Sequence, residues 1–127
     1  MANNKQSKNV TYKGFFHLPA VITSHIDFIS LSPHAIKLLV DLGTQYNGRN
    51  NGDLCAAMNI LKNRNWTSND TITKKLRELE DKGWITKTRQ GGLGMGPNLY
   101  ALTWQPINEC GGKLDVSPTT NPPRKFN

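Results

Sequence analysis

The chain has 127 residues, 16 of them Lys or Arg against nine Asp or Glu, for a formal charge of +7 and a mean hydropathy of −0.55. That length holds one core, since domains commonly run about 100–150 residues, and no apolar run approaches the roughly 20 residues of a membrane helix. No membrane-spanning helix is expected, and a single basic domain drawn to polyanions or acidic membrane surfaces is.

In chain order, residues 1–13 are polar, aperiodic and basic (Lys5, Lys8, Lys13) and read as a disordered tail. With no apolar stretch behind its lysines, the segment does not read as a secretory signal, so a cytoplasmic protein is expected, nucleoid-associated when bound. Gly14 to Leu18 is extended in character and stops at Pro19; residues 20–29 fit either a short helix or an extended packing segment. Ser32-Pro33 is a strong helix start, because the serine caps free amides and the proline has its φ preset. This helix is expected to reach about Tyr46 and to lie at the centre, since Ala35, Ile36, Leu38, Leu39, Val40 and Leu42 cover more than half of its circumference.

Asn47 to Gly52 is a turn of Asn and Gly residues. A second helix is expected from Asp53 to about Lys62, with Leu54, Ala57, Met58 and Leu61 at helical spacing and Cys55 a small buried group within it. After the turn 63–67, where Trp66 plugs the gap between helices, Ser68 or Thr67 caps a third helix whose stripe is Ile72, Leu76 and Leu79. Gly83 supplies its left-handed stop. Residues 84–90 and 99–104 alternate loosely and flank Gly91, Gly92, Gly94 and Gly96, which together read as an antiparallel hairpin with a floppy tip. From Gln105 the periodicity is gone, and Pro118, Pro122 and Pro123 mark a flexible tail.

The positive field is expected to sit on the third helix and hairpin, the proposed reading element, and on the N-terminal tail. Between Asn59 and Gln90 there are eight cations and four anions, whereas residues 14–58 are slightly acidic. At 100° per residue the third helix turns Asp70, Lys74, Arg77 and Asp81 away from its apolar stripe. A helix of this kind fits a DNA major groove. Asn69, Asp70, Thr71, Thr73 and Lys74 are the groove candidates, Arg77 or Lys75 reaches a phosphate or an outer base, and Ser68 with the helix amides suits a phosphate oxygen. In the hairpin, Lys87 and Arg89 lead into a glycine loop bare enough to approach the backbone or minor groove. The plainer readings are a solvated helix face and a long surface turn.

His17, His25 and His34 have no acidic or cysteine cluster near them in sequence, and Cys55 and Cys110 match no zinc or redox spacing. No nucleophile elbow or zincin motif is present. No metal, no cofactor and no enzymatic activity are therefore expected.

The run Ser68-x-x-Thr71-Ile72-x-Lys74-x-Leu76-Arg77-Glu78-Leu79-Glu80-Asp81-Lys82-Gly83-Trp84-Ile85 resembles the recognition helix and following strand of bacterial winged-helix proteins. Leu18-Pro19, Leu31-Ser32-Pro33 and Tyr46 to Gly52 look like the small winged helix-turn-helix proteins of phages and mobile elements, similar in layout to the DNA-binding domain of phage replication initiators. The resemblance implies an α+β, mostly helical domain over residues 14–104, a three-helix core with a β-hairpin wing, between a tail at 1–13 and a Pro-rich segment at 105–127. It implies sequence-specific binding of double-stranded DNA through Ser68, Thr71, Thr73 and Lys74, with Lys87 and Arg89 flanking the wing. The turn at 63–67 is longer than the pattern, and Lys75 stands where a small residue is usual. The expected role is a transcriptional regulator of the element, paired as a homodimer or helped by a replication or transcription protein. An origin-binding replication-initiation factor and a winged-helix protein-interaction adaptor are the alternatives.

Overall fold

The computed structural model describes residues 16–126, so the expected tail at 1–13 lies outside the described residues. Among the described residues, five α-helices and a three-stranded antiparallel sheet make an α+β arrangement: α1 (Ala20–Thr23), α2 (Ile26–Ile29), α3 (Pro33–Gly43), β1 (Leu54–Cys55), α4 (Met58–Leu61), α5 (Asn69–Asp81), β2 (Ile85–Arg89) and β3 (Leu99–Leu102). Among the described residues no helix is long and apolar enough to cross a membrane.

The two long helices begin where local chemistry puts them. Ser32 Oγ accepts from the Ala35 N–H at 3.3 Å with Pro33 at the first helical position, and Ser68 Oγ accepts from the Thr71 N–H at 3.1 Å. Each serine thus satisfies an amide that the helix leaves unpaired. α5 ends at Gly83, whose φ of +79° lets its N–H reach the Glu80 carbonyl while Trp84 N–H reaches that of Leu79. α3 stops at Gly43, three residues short of Tyr46.

The segment expected to be the second helix folds differently. Leu54 and Cys55 pair with Tyr100 and Leu99, and the Gln45 amide binds both the N–H and the C=O of Cys55 at 2.9 and 2.8 Å. Ala57 is extended, so only the single turn Met58–Leu61 is α-helical, followed by a 3₁₀ turn over Lys62–Arg64. The helical spacing of Leu54, Ala57, Met58 and Leu61 loses to backbone pairing with a strand more than 40 residues away, and Cys55 lies in a strand.

Strand order is β1-β3-β2, which leaves β3 in the middle with all four residues buried rather than alternating in and out. β3 also ends at Leu102, short of the expected Trp104. Between Lys87 and Arg89 the β2 register slips, and Thr88, drawn inward, donates its hydroxyl to the Gly52 carbonyl at 2.6 Å. The core forms where Leu38, Leu39 and Leu42 of α3 meet Ile72 and Leu79 of α5 over Trp84 and Leu102.

Four polar joints fix these elements. The Asp41 side chain, only 4% exposed, takes hydrogen bonds from Lys37 (2.7 Å), from Arg64 Nε and Nη2 (3.0 and 2.9 Å) and from Trp66 Nε1 (2.6 Å). Trp66 therefore does fill the gap before α5, held there by a hydrogen bond as well as by packing. Glu78 of α5 accepts from the Ser32 N–H and Oγ at the head of α3, and from Lys75. Asn51, fully buried, donates to the Leu102, Gln105 and Pro106 carbonyls and accepts from the Leu102 N–H, which locks the 47–52 turn to the end of β3.

The fourth joint belongs to the C-terminal segment. Proline content and lost periodicity point to a flexible tail from residue 105, yet residues 105–126 lie across the domain with specific contacts. Asp115 N–H bonds the Thr88 carbonyl, and Arg124 N–H bonds that of Thr103. The Arg124 guanidinium sits 4.0 Å over Trp84, donates to Asp27 Oδ2 and to the Lys82 carbonyl at 2.7 Å each, and lies beside Phe126, which stacks on Trp84.

Candidate nucleic-acid interface

α5 meets its neighbours along two flanks and leaves a third side open. The Ile72/Leu79 side faces the core, and Leu76 is half-buried against it. Toward α3 lie Thr71 and Lys75. The Lys75 side chain is 25% exposed and meets Glu78 Oε1 at 3.3 Å, the carboxylate that Ser32 also holds. The structure thus ties Lys75 to the α3–α5 joint and sets it apart from the open side.

On the opposite flank, Asn69 and Thr73 line a groove of about 160 Å³ with Pro97, Asn98 and Tyr100 from the far side of the hairpin. The N-terminal half of α5 and the base of the hairpin are therefore neighbours. Thr73 turns its hydroxyl back to the Asn69 carbonyl at 2.9 Å. Burial pushes the Tyr100 phenol above its ordinary value, which keeps the groove floor neutral.

The open side carries Asp70, Lys74, Arg77 and Asp81. Lys74 and Asp70 form an i,i+4 pair at 3.0 Å with side chains 67% and 76% exposed. A pair this wet contributes only about 0.3–0.5 kcal/mol, so it holds the lysine only weakly. Arg77 has no ion-pair partner among the described residues. From Asn69 to Lys82 four cations face four anions, so α5 taken with its capping Lys82 has no net charge.

The positive charge comes from what surrounds the helix. Lys62 and Arg64 sit in the preceding turn, and Lys87 and Arg89 in β2. Arg64 is held by Asp41, while Lys87 Nζ reaches only the Gln90 side chain at 3.2 Å. Between Lys82 and Asn108 the sequence contains no acidic residue. Of the ten residues singled out by sequence, Asn69, Asp70, Thr73, Lys74 and Arg77 share the open and hairpin-facing sides of α5. Ser68 is engaged as its cap, Thr71 and Lys75 lie toward α3, and Lys87 and Arg89 stand in the hairpin stem.

The hairpin tip is more ordered than its glycines suggest. Gly91 N–H meets Asn98 Oδ1 at 2.6 Å, Gly92 N–H meets the Gly96 carbonyl at 3.1 Å, and Met95 N–H closes back on the Gly92 carbonyl at 3.0 Å. A side chain at Gly91 would run into the backbone of Gly96 and Pro97, so the two arms come together with nothing between them. Sequence reasoning passed over Asp41, Glu78 and Arg124, the residues that set the orientation of α5, because their partners lie 23 to 97 residues away.

Among the described residues no group of three or more His, Cys, Asp or Glu is placed to hold a metal ion. No family model matches the chain, and no curated protein or solved structure is significantly similar to it.

Proposed function

We propose that this chain is a winged helix-turn-helix protein that binds double-stranded DNA, with α5 as the reading helix and the β2–β3 hairpin as the wing. The observation that carries the reading is the open side of α5. It presents Asp70, Lys74 and Arg77 to solvent, none of them used in packing, next to a hairpin whose stem supplies Lys87 and Arg89. Asp41 and Glu78 hold that side in place from behind.

The division of charge suits this task. Phosphate contacts position a protein on a duplex and base contacts specify the sequence. Cations beside α5 serve the first need, while a charge-balanced helix bearing Asn69, Asp70, Thr73, Lys74 and Arg77 serves the second through both donors and acceptors. One such module buries little DNA surface, so two copies on one site are expected. The role this suits is a transcriptional regulator of a phage or mobile element, and protection of the element's promoter rather than its origin would distinguish it from a replication initiator.

The test is a fluorescence-anisotropy titration on duplexes selected from a random pool. Lys74→Ala is expected to weaken binding about tenfold and to flatten the preference among sequences, while Lys87→Ala weakens all sequences alike. Wild-type affinity in both variants at moderate salt would overturn the reading.

A further inference from the structure

At the hairpin tip, Leu93 is fully exposed and Met95 is 54% exposed, alternating with Gly92, Gly94 and Gly96. None of the described residues covers Leu93, and about half of Met95 faces solvent. Two apolar side chains at the end of a ribbon otherwise bare of side chains are far too little for a stable protein interface, which covers roughly 800 Å² on each partner. They are the right amount for a wedge between two base pairs, where one or two side chains of this kind are what enters the stack.

We infer that Leu93 and Met95 insert into the minor groove of bound duplex DNA and partly unstack one base step. The inference rests on the DNA-binding reading above and deepens it. Three features carry it. The arms close on each other at Gly91 with no side chain between them, so apart from Leu93 and Met95 the tip presents mainly backbone to a groove. The stem carries Lys87 and Arg89 and no acid; Asp115, which meets it from the C-terminal segment, has its carboxylate engaged by the Gln90 N–H at 2.8 Å. The base of the hairpin and the N-terminal half of α5 line one groove, so a duplex held by α5 passes within reach of the tip.

The wedge predicts a preference for steps that open easily, TA and CA, beside the sequence read by α5. The probe is a set of selected duplexes of about 30 base pairs with 2-aminopurine placed in turn at each such step. The full chain should raise 2-aminopurine fluorescence at one step. Leu93→Ser with Met95→Ser should abolish that rise and weaken binding about tenfold, because the apolar transfer is lost while the cations remain. Both side chains face solvent, so the variant keeps the fold, as its unchanged thermal unfolding will show. Binding by the unsubstituted chain with no rise at any step, or a rise that survives the double substitution, overturns the wedge and leaves the DNA reading standing. Loss of self-association in the variant, with its DNA signal intact, assigns the tip to a second copy and likewise overturns the wedge. No binding to any duplex overturns both.

Discussion

Asp41 and Asp70 are the same residue type, each paired with a lysine four positions away, and they do opposite things. Asp41 is buried and has three donor side chains from two parts of the chain, so it sets where the 62–66 turn lies and therefore where α5 begins. Asp70 is three-quarters exposed and holds one lysine that water also holds. Burial decides which of two similar ion pairs builds the fold and which stays available to a ligand.

The widest separation between the two regions comes from removing Asp41. Asp41→Ala leaves Arg64 and the Trp66 indole N–H without their acceptor, and a loss of about 3 kcal/mol in urea unfolding is expected, as when one partner of a buried pair is removed. Asn51→Ala opens the joint between the 47–52 turn and β3 and should cost about 2 kcal/mol in the same assay, since the buried N–H and C=O of Leu102 and the part-buried carbonyls of Gln105 and Pro106 lose their partner.

Acid sharpens the contrast further. Arg124 donates to Asp27 and lowers its carboxyl below the ordinary value of 3.8. Burial by itself raises Asp41 and Glu78, but the hydrogen bonds from Lys37, Trp66 and Arg64 in one case, and from Ser32 and Lys75 in the other, outweigh it and hold both low. A carboxyl lower in the folded than in the unfolded chain stabilises fully above its unfolded value, and the contribution is lost as pH falls through the folded value. The melting temperature should therefore stay level from neutral pH down to about 5 and drop below about 4. Asp41→Asn should shrink that drop.

The smallest stability effects belong to the open side of α5. Lys74→Ala and Arg77→Ala should change unfolding free energy by no more than about 0.5 kcal/mol, yet each should reduce DNA affinity about tenfold. A large stability loss in either would place these residues with Asp41 rather than apart from it.

Local chemistry was legible in the sequence. Ser32-Pro33, Ser68 and Gly83 act within a few residues of themselves, and the helix ends they mark are found where expected. So is the hairpin that follows Gly83. What the sequence concealed depends on distant partners. Leu54 and Cys55 carry a helical spacing but find an unpaired strand edge at Leu99 and Tyr100. The C-terminal segment carries the composition of a tail, but its Arg124 and Phe126 lie against the ring of Trp84 and help bury it, a pairing that no periodicity could have shown. In the candidate site, angular position on α5 was readable and correctly turned Lys74 and Arg77 outward. That Lys75 belongs to the α3 joint was not readable, because it depends on Ser32 and Glu78 meeting across 46 residues.

The salt dependence of duplex binding is the most direct test of DNA binding by α5 and the hairpin. Six phosphate contacts imply that log Kobs falls with log salt concentration at a slope of about −5, and removing Lys87 should make that slope about one unit shallower. A binding signal that is flat with salt, or no binding to any duplex at low salt, would contradict it.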